Sequence, residues 1–263
     1  RQDDRETVSA LALADGTVLW TQTEEVPFKP IPIVRGHQAG PFATPLYADG
    51  LVYTYGITGT LSAWNADSGD LACVATSPIL TDGKLITHIG GAGEGALAAF
   101  DPKTGDDLWR WDGDGPAYSS TAPVEHGGLT LVTSLAQKNL IGIDAADGEL
   151  LFKQPWEVTF DSASPTPMFV GDLVVIASGH RPTTAFRMVF SGASVELEPA
   201  WENNEVWCDM STPVAVGDRL FTFASQQKGQ LIALDAATGE ILWKGPGRPG
   251  DNAYLIPVGD ALI

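Results

Sequence analysis

Short stretches in which apolar and polar residues alternate run the length of the chain, separated by Gly, Pro, Asp and Asn. VGDRLFTFAS (Val216–Ser225) and GQLIALD (Gly229–Asp235) are typical. Alternation of this kind puts every second side chain on one face, so these segments predict half-buried β-strands. No window carries the spacing of an amphipathic helix. The pattern predicts an all-β protein with many tight turns, and the 29 glycines and 18 prolines agree.

The strands fall into a repeat. ALDAATGEILW (Ala233–Trp243) returns as AFDPKTGDDLW (Ala99–Trp109), GIDAADGELLF (Gly142–Phe152) and AWNADSGDLAC (Ala63–Cys73). ALALADGTVLW (Ala10–Trp20) is a weaker copy. SGASVELEPAW, ending at Trp201, reads as a decayed one that keeps the Trp but loses the Asp and the turn glycine. A second signature, Thr/Ser-Pro followed by a Gly/Asp turn and an apolar run, stands between the copies. It begins at Thr44, Ser77, Thr166 and Thr212, with Ala-Pro at Ala122 and a fragment from Ile256 to Ile263. Each unit therefore reads as four antiparallel strands, with Pro at the head of the first, where no ladder donor is lost. The Asp-x-x-Thr-Gly turn joins the third to the fourth. A four-stranded unit of about 40–45 residues has the period of a propeller blade, which must stack on neighbours to bury its faces.

In the motif, Asp101, Asp144 and Asp235 are expected to accept hydrogen bonds from the turn backbone. Gly105, Gly148 and Gly239 are expected at positive φ. Trp20, Trp109 and Trp243 offer a flat apolar surface to a neighbouring blade, with an indole N–H available for a carbonyl. This A-x-D-x-x-T-G-x-x-x-W pattern resembles the tryptophan-docking motif of the PQQ-like (quinoprotein-type) β-propeller repeat family. The likeness runs from Ala10 to Ile263, and WRWDGDGPAY (Trp109–Tyr118) and WENNEVWCDMSTP (Trp201–Pro213) resemble the non-enzymatic, BamB-like repeat proteins of bacteria. The resemblance implies one β-propeller domain over residues 1–263, with about six blades visible and seven or eight when complete. The chain is expected to be incomplete at both ends. The step from Cys73 to Pro78 is much shorter than Trp109 to Pro123 or Trp243 to Pro257, so residues are expected to be missing near 72–74. On that reading Cys73 is not a docking residue.

Charge narrows the partners. Fifteen basic against 33 acidic residues give −18, dispersed among the turns. Such a surface repels nucleic-acid backbones and anionic membrane faces. No stretch has the roughly 20 apolar residues of a membrane helix.

Candidate chemistry is sparse. Quinoprotein dehydrogenases of the resembling family hold PQQ with an adjacent-cysteine disulfide, a sandwiching Trp, Ca²⁺ ligands and a catalytic Asp. Cys73 and Cys208 are the two cysteines here and are not adjacent. His37, His88, His126 and His180 lack zinc spacing, and GGAGEG (Gly90–Gly95) lacks the Lys-Ser/Thr of a phosphate loop. DGDG (Asp112–Gly115) lacks the rest of an EF-hand and reads as an acidic interblade turn. No catalytic residue, metal site or cofactor is assigned, and PQQ with Ca²⁺ is not expected. If a ligand binds, the segments leading into the first strands are where side chains of several blades converge. The candidates there are Tyr118, Ser119, Asp161, Asp209 and Gln226. The resemblance implies a non-catalytic, periplasmic or secreted scaffold with protein partners, those of a membrane-associated complex among them. The alternatives are a fragment of a PQQ-dependent dehydrogenase and a propeller that binds a small ligand or sugar.

Overall fold

The computed structural model describes residues 5–25, 45–48, 50–56, 61–69, 71–73, 78–90, 95–157, 163–192, 194–224, 229–247, 253, 255–258 and 261–262. Every regular element among them is a strand. A two-stranded sheet holds β1 (Arg5–Leu11) and β2 (Val18–Glu25). The first four-stranded sheet holds β3 (Leu46–Ala48), β4 (Leu51–Tyr55), β5 (Leu61–Asn65) and β6 (Leu71–Cys73). The second holds β7 (Ile79–Thr81), β8 (Lys84–Gly90), β9 (Gly95–Phe100) and β10 (Asp107–Gly113). The third holds β11 (Ala122–His126), β12 (Leu129–Leu135), β13 (Asn139–Asp144) and β14 (Leu150–Pro155). The fourth holds β15 (Met168–Val170), β16 (Leu173–Ser178), β17 (Arg181–Ser191) and β18 (Ser194–Asn203). The fifth holds β19 (Val214–Val216), β20 (Arg219–Ala224), β21 (Gln230–Asp235) and β22 (Ile241–Lys244). A last two-stranded sheet pairs β23 (Pro257–Val258) with β24 (Ala261–Leu262). Each four-stranded sheet is a meander with its strands in sequence order.

The chain divides into two compact units, Arg1–Gly90 with Leu97–Arg110, and Gly91–Ala96 with Trp111–Ile263. In the first, Tyr53 and Leu85 form a buried core packed by Leu46, Leu51, Leu80 and Phe100. Two cores stand among the described residues of the second. One joins Leu131, Leu135 and Leu140 of the third sheet to Val174, Ile176 and Phe186 of the fourth. The other joins Val175 and Ala185 to Leu220, Ile232 and Leu234 of the fifth. Adjacent residues Val174 and Val175 thus point to opposite faces, and both faces of the fourth sheet are covered. That is why its strands read as continuous apolar runs rather than clean alternation.

Register repeats with the motif. Ala10 faces Trp20, Gly142 faces Phe152, Ala185 faces Trp201 and Ala233 faces Trp243, each followed by a one-residue slip in pairing. Ala63 faces Cys73 with the same slip. The expectation that Cys73 falls outside the docking position is therefore corrected: backbone pairing puts it where the other copies carry Trp or Phe. Residues 74–77 lie outside the described set. The decayed copy differs too. Ser191 pairs with Ser194 across a tight hairpin, and Gly192 takes φ +62, so a turn glycine is present after all. Shortening the turn lets β17 and β18 extend to 11 and 10 residues.

Candidate functional site

The motif turns are tied from within. At Asp235, one carboxylate oxygen accepts the backbone N–H groups of Ala237 (3.0 Å) and Thr238 (2.9 Å), and the Thr238 hydroxyl at 3.1 Å. Gly239 N–H closes the turn on the Asp235 carbonyl at 2.9 Å. The same bonds run from Lys103 and Thr104 to Asp101, and from Ala146 to Asp144. Donation by the Thr238 and Thr104 backbones, above all, holds the Asp235 and Asp101 carboxyls below the usual carboxylate range. Asn65 does the same work without a charge, accepting from Asp67 and Ser68, both at 3.0 Å.

Two tryptophans lie on such turns. The Trp20 ring covers Gly69, where an added Cβ would sit 2.8 Å from it, and its indole donates to the Ala66 carbonyl at 2.7 Å. Trp201 covers Gly239, with 2.4 Å to an added Cβ, and donates to Ala236 at 3.0 Å. Trp243 behaves differently: it is 41% exposed and its ring contact is with Phe221 of its own sheet, 6.3 Å away. Trp109 is half-buried on β10, and Gly105 and Gly148 take φ +78 and +83.

The segments that cross from one sheet to the next carry the remaining candidates. Tyr118 is exposed at 73%, and beside it the Ser119 hydroxyl donates to the Leu135 carbonyl at 3.5 Å. Asp209 belongs to the crossing between β18 and β19, with its carboxylate closed over Gly179 so that an added Cβ would meet Oδ1 at 2.6 Å. Tyr118 and Ser119 thus stand on one crossing and Asp209 on another. Asp161 and Gln226 lie outside the described residues, as do His37 and most of the Gly90–Gly95 run, which connects β8 to β9.

Several contacts on these crossings escaped the sequence reading. Asp114 accepts from Asn139 Nδ2 and from Lys153 Nζ, the latter at 3.3 Å, and the Lys153 ammonium stands 6.0 Å from the Trp111 ring. Lys244 reaches Glu205 at 2.8 Å. In both cases a Lys directly after the docking aromatic ties down an acidic residue of the preceding crossing, a spacing visible in FK (Phe152–Lys153) and WK (Trp243–Lys244). The Arg181 guanidinium lies 5.1 Å from the ring of buried Trp156 and donates to the Glu157 carbonyl at 3.2 Å. Cys208 is a buried free thiol, 2.9 Å from the Thr222 hydroxyl and 3.8 Å from that of Thr183. Burial pushes its pKa up, against the opposing pull of those hydroxyls, so it is not a poised nucleophile.

Among the described residues the histidines share no site. His88 is buried within β8, whereas His126 is exposed and stacks on Phe190 with centroids 3.7 Å apart. That stack borders a shallow pocket of about 220 Å³ lined by Val124, Glu125, Gly171, Asp172 and Met188 as well. Among the described residues no group of three or more His, Cys, Asp or Glu side chains is placed to hold a metal ion. Nor is any helix among them long and apolar enough to cross a membrane.

A family model described as outer membrane protein assembly factor BamB matches residues 4–244. Among solved structures, BamB from Moraxella catarrhalis superposes with a TM-score of 0.68 at 19% identity, covering 97% of this chain and 72% of that one. The computationally designed Ika8 protein follows at TM-score 0.60 and 15% identity, covering 87% of this chain and 68% of its own. Likeness at such identity establishes the fold, an all-β propeller of four-stranded antiparallel blades. No curated protein sequence matches.

Proposed function

The chain belongs to the family of the outer membrane protein assembly factor BamB, and from that premise we propose that it is a non-catalytic, extracytoplasmic propeller that serves as a binding or assembly scaffold for protein partners. The observation that carries this reading is the use made of the crossings. Among the described residues, three polar side chains of the crossings bond to the adjoining sheets: Asp114 to Asn139 and Lys153, Glu205 to Lys244, and Ser119 to the Leu135 carbonyl. A rigid frame with surface loops suits recognition more than turnover. Partners within a membrane-associated complex, and a periplasmic or secreted location, belong to the same proposal. Its net charge of −18 favours partner surfaces that are neutral or basic.

No cofactor is assigned. The sequence lacks adjacent cysteines, and Cys208 is enclosed by threonine hydroxyls rather than by a second thiol. The decisive experiment is reconstitution with PQQ and Ca²⁺ followed by an oxidation assay on alcohols and sugars. We expect no turnover and no thermal stabilisation, while the tagged chain recovers a defined set of proteins from the native membrane fraction in fixed stoichiometry. Steady oxidation after reconstitution would reverse the assignment in favour of a quinoprotein dehydrogenase.

A further inference from the structure

Among the described residues, a cationic side chain is seated twice between an aromatic ring and an oxygen acceptor. The Lys153 ammonium stands 6.0 Å from the Trp111 ring and 3.3 Å from the Asp114 carboxylate. The Arg181 guanidinium lies 5.1 Å from the Trp156 ring and donates to the Glu157 carbonyl. Where the third and fourth sheets adjoin, similar surroundings recur without the cation. Both sheets stand inside the run of five, and their joint is filled by the core of Leu131 and Val174.

That place is the pocket of about 220 Å³ beside the His126–Phe190 stack. Its floor is apolar: Met188 is buried, and Val124 and Phe190 are half-buried. Its rim is exposed and acidic, with Glu125 near the end of β11 and Asp172 in the turn between β15 and β16. None of the lining residues is a lysine or an arginine. Arg187, close by on β17, is committed to Asp172. Among the described residues the Glu125 carboxylate has no partner.

Size and chemistry together select the occupant. At about 220 Å³ the pocket is smaller than the roughly 300–1,000 Å³ of sites that enclose a small molecule. An apolar floor under an acidic rim suits a side chain with a hydrocarbon stem and a charged head. The aromatic pair beside the carboxylates adds cation–π attraction and, for a guanidinium, stacking. A net charge of −18 draws such a group in from a distance.

We propose that this pocket receives an arginine side chain of a protein partner. The proposal rests on the reading of the chain as a protein-binding scaffold and adds the place and chemistry of one contact. The stem lies on Met188 and Phe190, and the guanidinium pairs with Glu125, while Asp172 stays with Arg187.

NMR titration of the ¹⁵N-labelled full chain with the peptide acetyl-Ala-Ser-Arg-Ser-Ala-amide tests this. The amide signals of His126, Gly171 and Phe190 shift together, with a Kd of about 1–10 mM, the range one side chain of this size supports. A norleucine peptide, which keeps the stem and loses the charge, binds about five-fold more weakly or worse. Glu125→Gln weakens the arginine peptide about three-fold. Glu240→Gln, on an exposed turn of the fifth sheet, removes the same charge and changes the Kd less than about two-fold. Arg187→Gln tightens binding, because Asp172 is then released to the incoming guanidinium. All three positions are exposed, so the fold survives these changes, which circular dichroism verifies. No shift at these amides, equal losses in the two Glu variants, weaker binding by Arg187→Gln, or putrescine binding as tightly as the peptide each overturns the proposal. Recovery of proteins from the native membrane fraction answers the separate question of the scaffold. Partners recovered without a titration response sink the pocket alone, whereas a titration response without partners sinks the scaffold reading and leaves the pocket's preference for a peptide arginine standing.

Discussion

At Gly239 two requirements meet in one atom's worth of space. The backbone takes φ +72, and the Trp201 ring occupies the position where a side chain would begin, 2.4 Å from an added Cβ. Left-handed backbone costs a non-glycine residue roughly 1–2 kcal/mol. Displacing a packed ring adds a further penalty of roughly 1–3 kcal/mol. Gly239→Ala is therefore expected to lower unfolding free energy by about 3 kcal/mol in denaturant titration. Gly217→Ala, at φ +62 but with nothing within 4 Å, should lose only the backbone part. Equal losses at the two sites would mean that the indole contributes nothing to Gly239. The Asp, the glycine and the aromatic were all legible in the sequence, because each serves a local rule of turn chemistry or strand pairing. That the indole of Trp201 seats on a glycine 38 positions on, and bonds the Ala236 carbonyl, was not, since only the stacked sheets bring them together.

The turns are the elements that register pH. Asp235 and Asp101 are held below the usual carboxylate range by N–H donors present only in the folded chain. A depressed folded pKa adds stability above the unfolded value of 3.8 and loses it as pH falls through the folded value. Melting temperature should thus be level from neutral pH down to about 5 and fall below about 4. Asn65 shows that an amide oxygen fills the same role. Asp235→Asn is accordingly expected to keep the turn at pH 7 and to make the acid fall shallower, with Asp101 and Asp15 still titrating. A variant whose acid limb overlays the wild type would remove the turn from the account. Strand positions followed from alternation and from the Pro-led heads, and each first strand begins at or beside its proline. The β17–β18 hairpin did not follow so readily: with the Asp gone, SGAS reads as a damaged motif, although it folds as a tighter turn between longer strands.

Over the whole molecule the architecture was readable because it is written several times, and the activity was not, because a fold shared by many functions names none of them. What the surface does state is charge. A net −18 on 263 residues means that folding gathers like charges into a smaller volume, which opposes the compact state. Ion pairs pull the other way. Those at Lys84–Asp82, Lys153–Asp114, Arg187–Asp172, Arg219–Asp218 and Lys244–Glu205 all keep at least one partner largely or partly exposed. Exposed pairs contribute about 0–1 kcal/mol each, and salt weakens them. Repulsion acts over longer distances, and the screening length falls from about 30 Å at 0.01 M to about 10 Å at 0.1 M salt. The excess of acid over base should therefore outweigh the loss of a few local pairs. Melting temperature is expected to rise by a few degrees as NaCl goes from about 0.01 to 0.3 M, most of it before the screening length drops under the spacing of surface charges. Measured by circular dichroism at pH 7, a fall over the same range would show that the ion pairs, and not the acidic surface, dominate the electrostatics of this propeller.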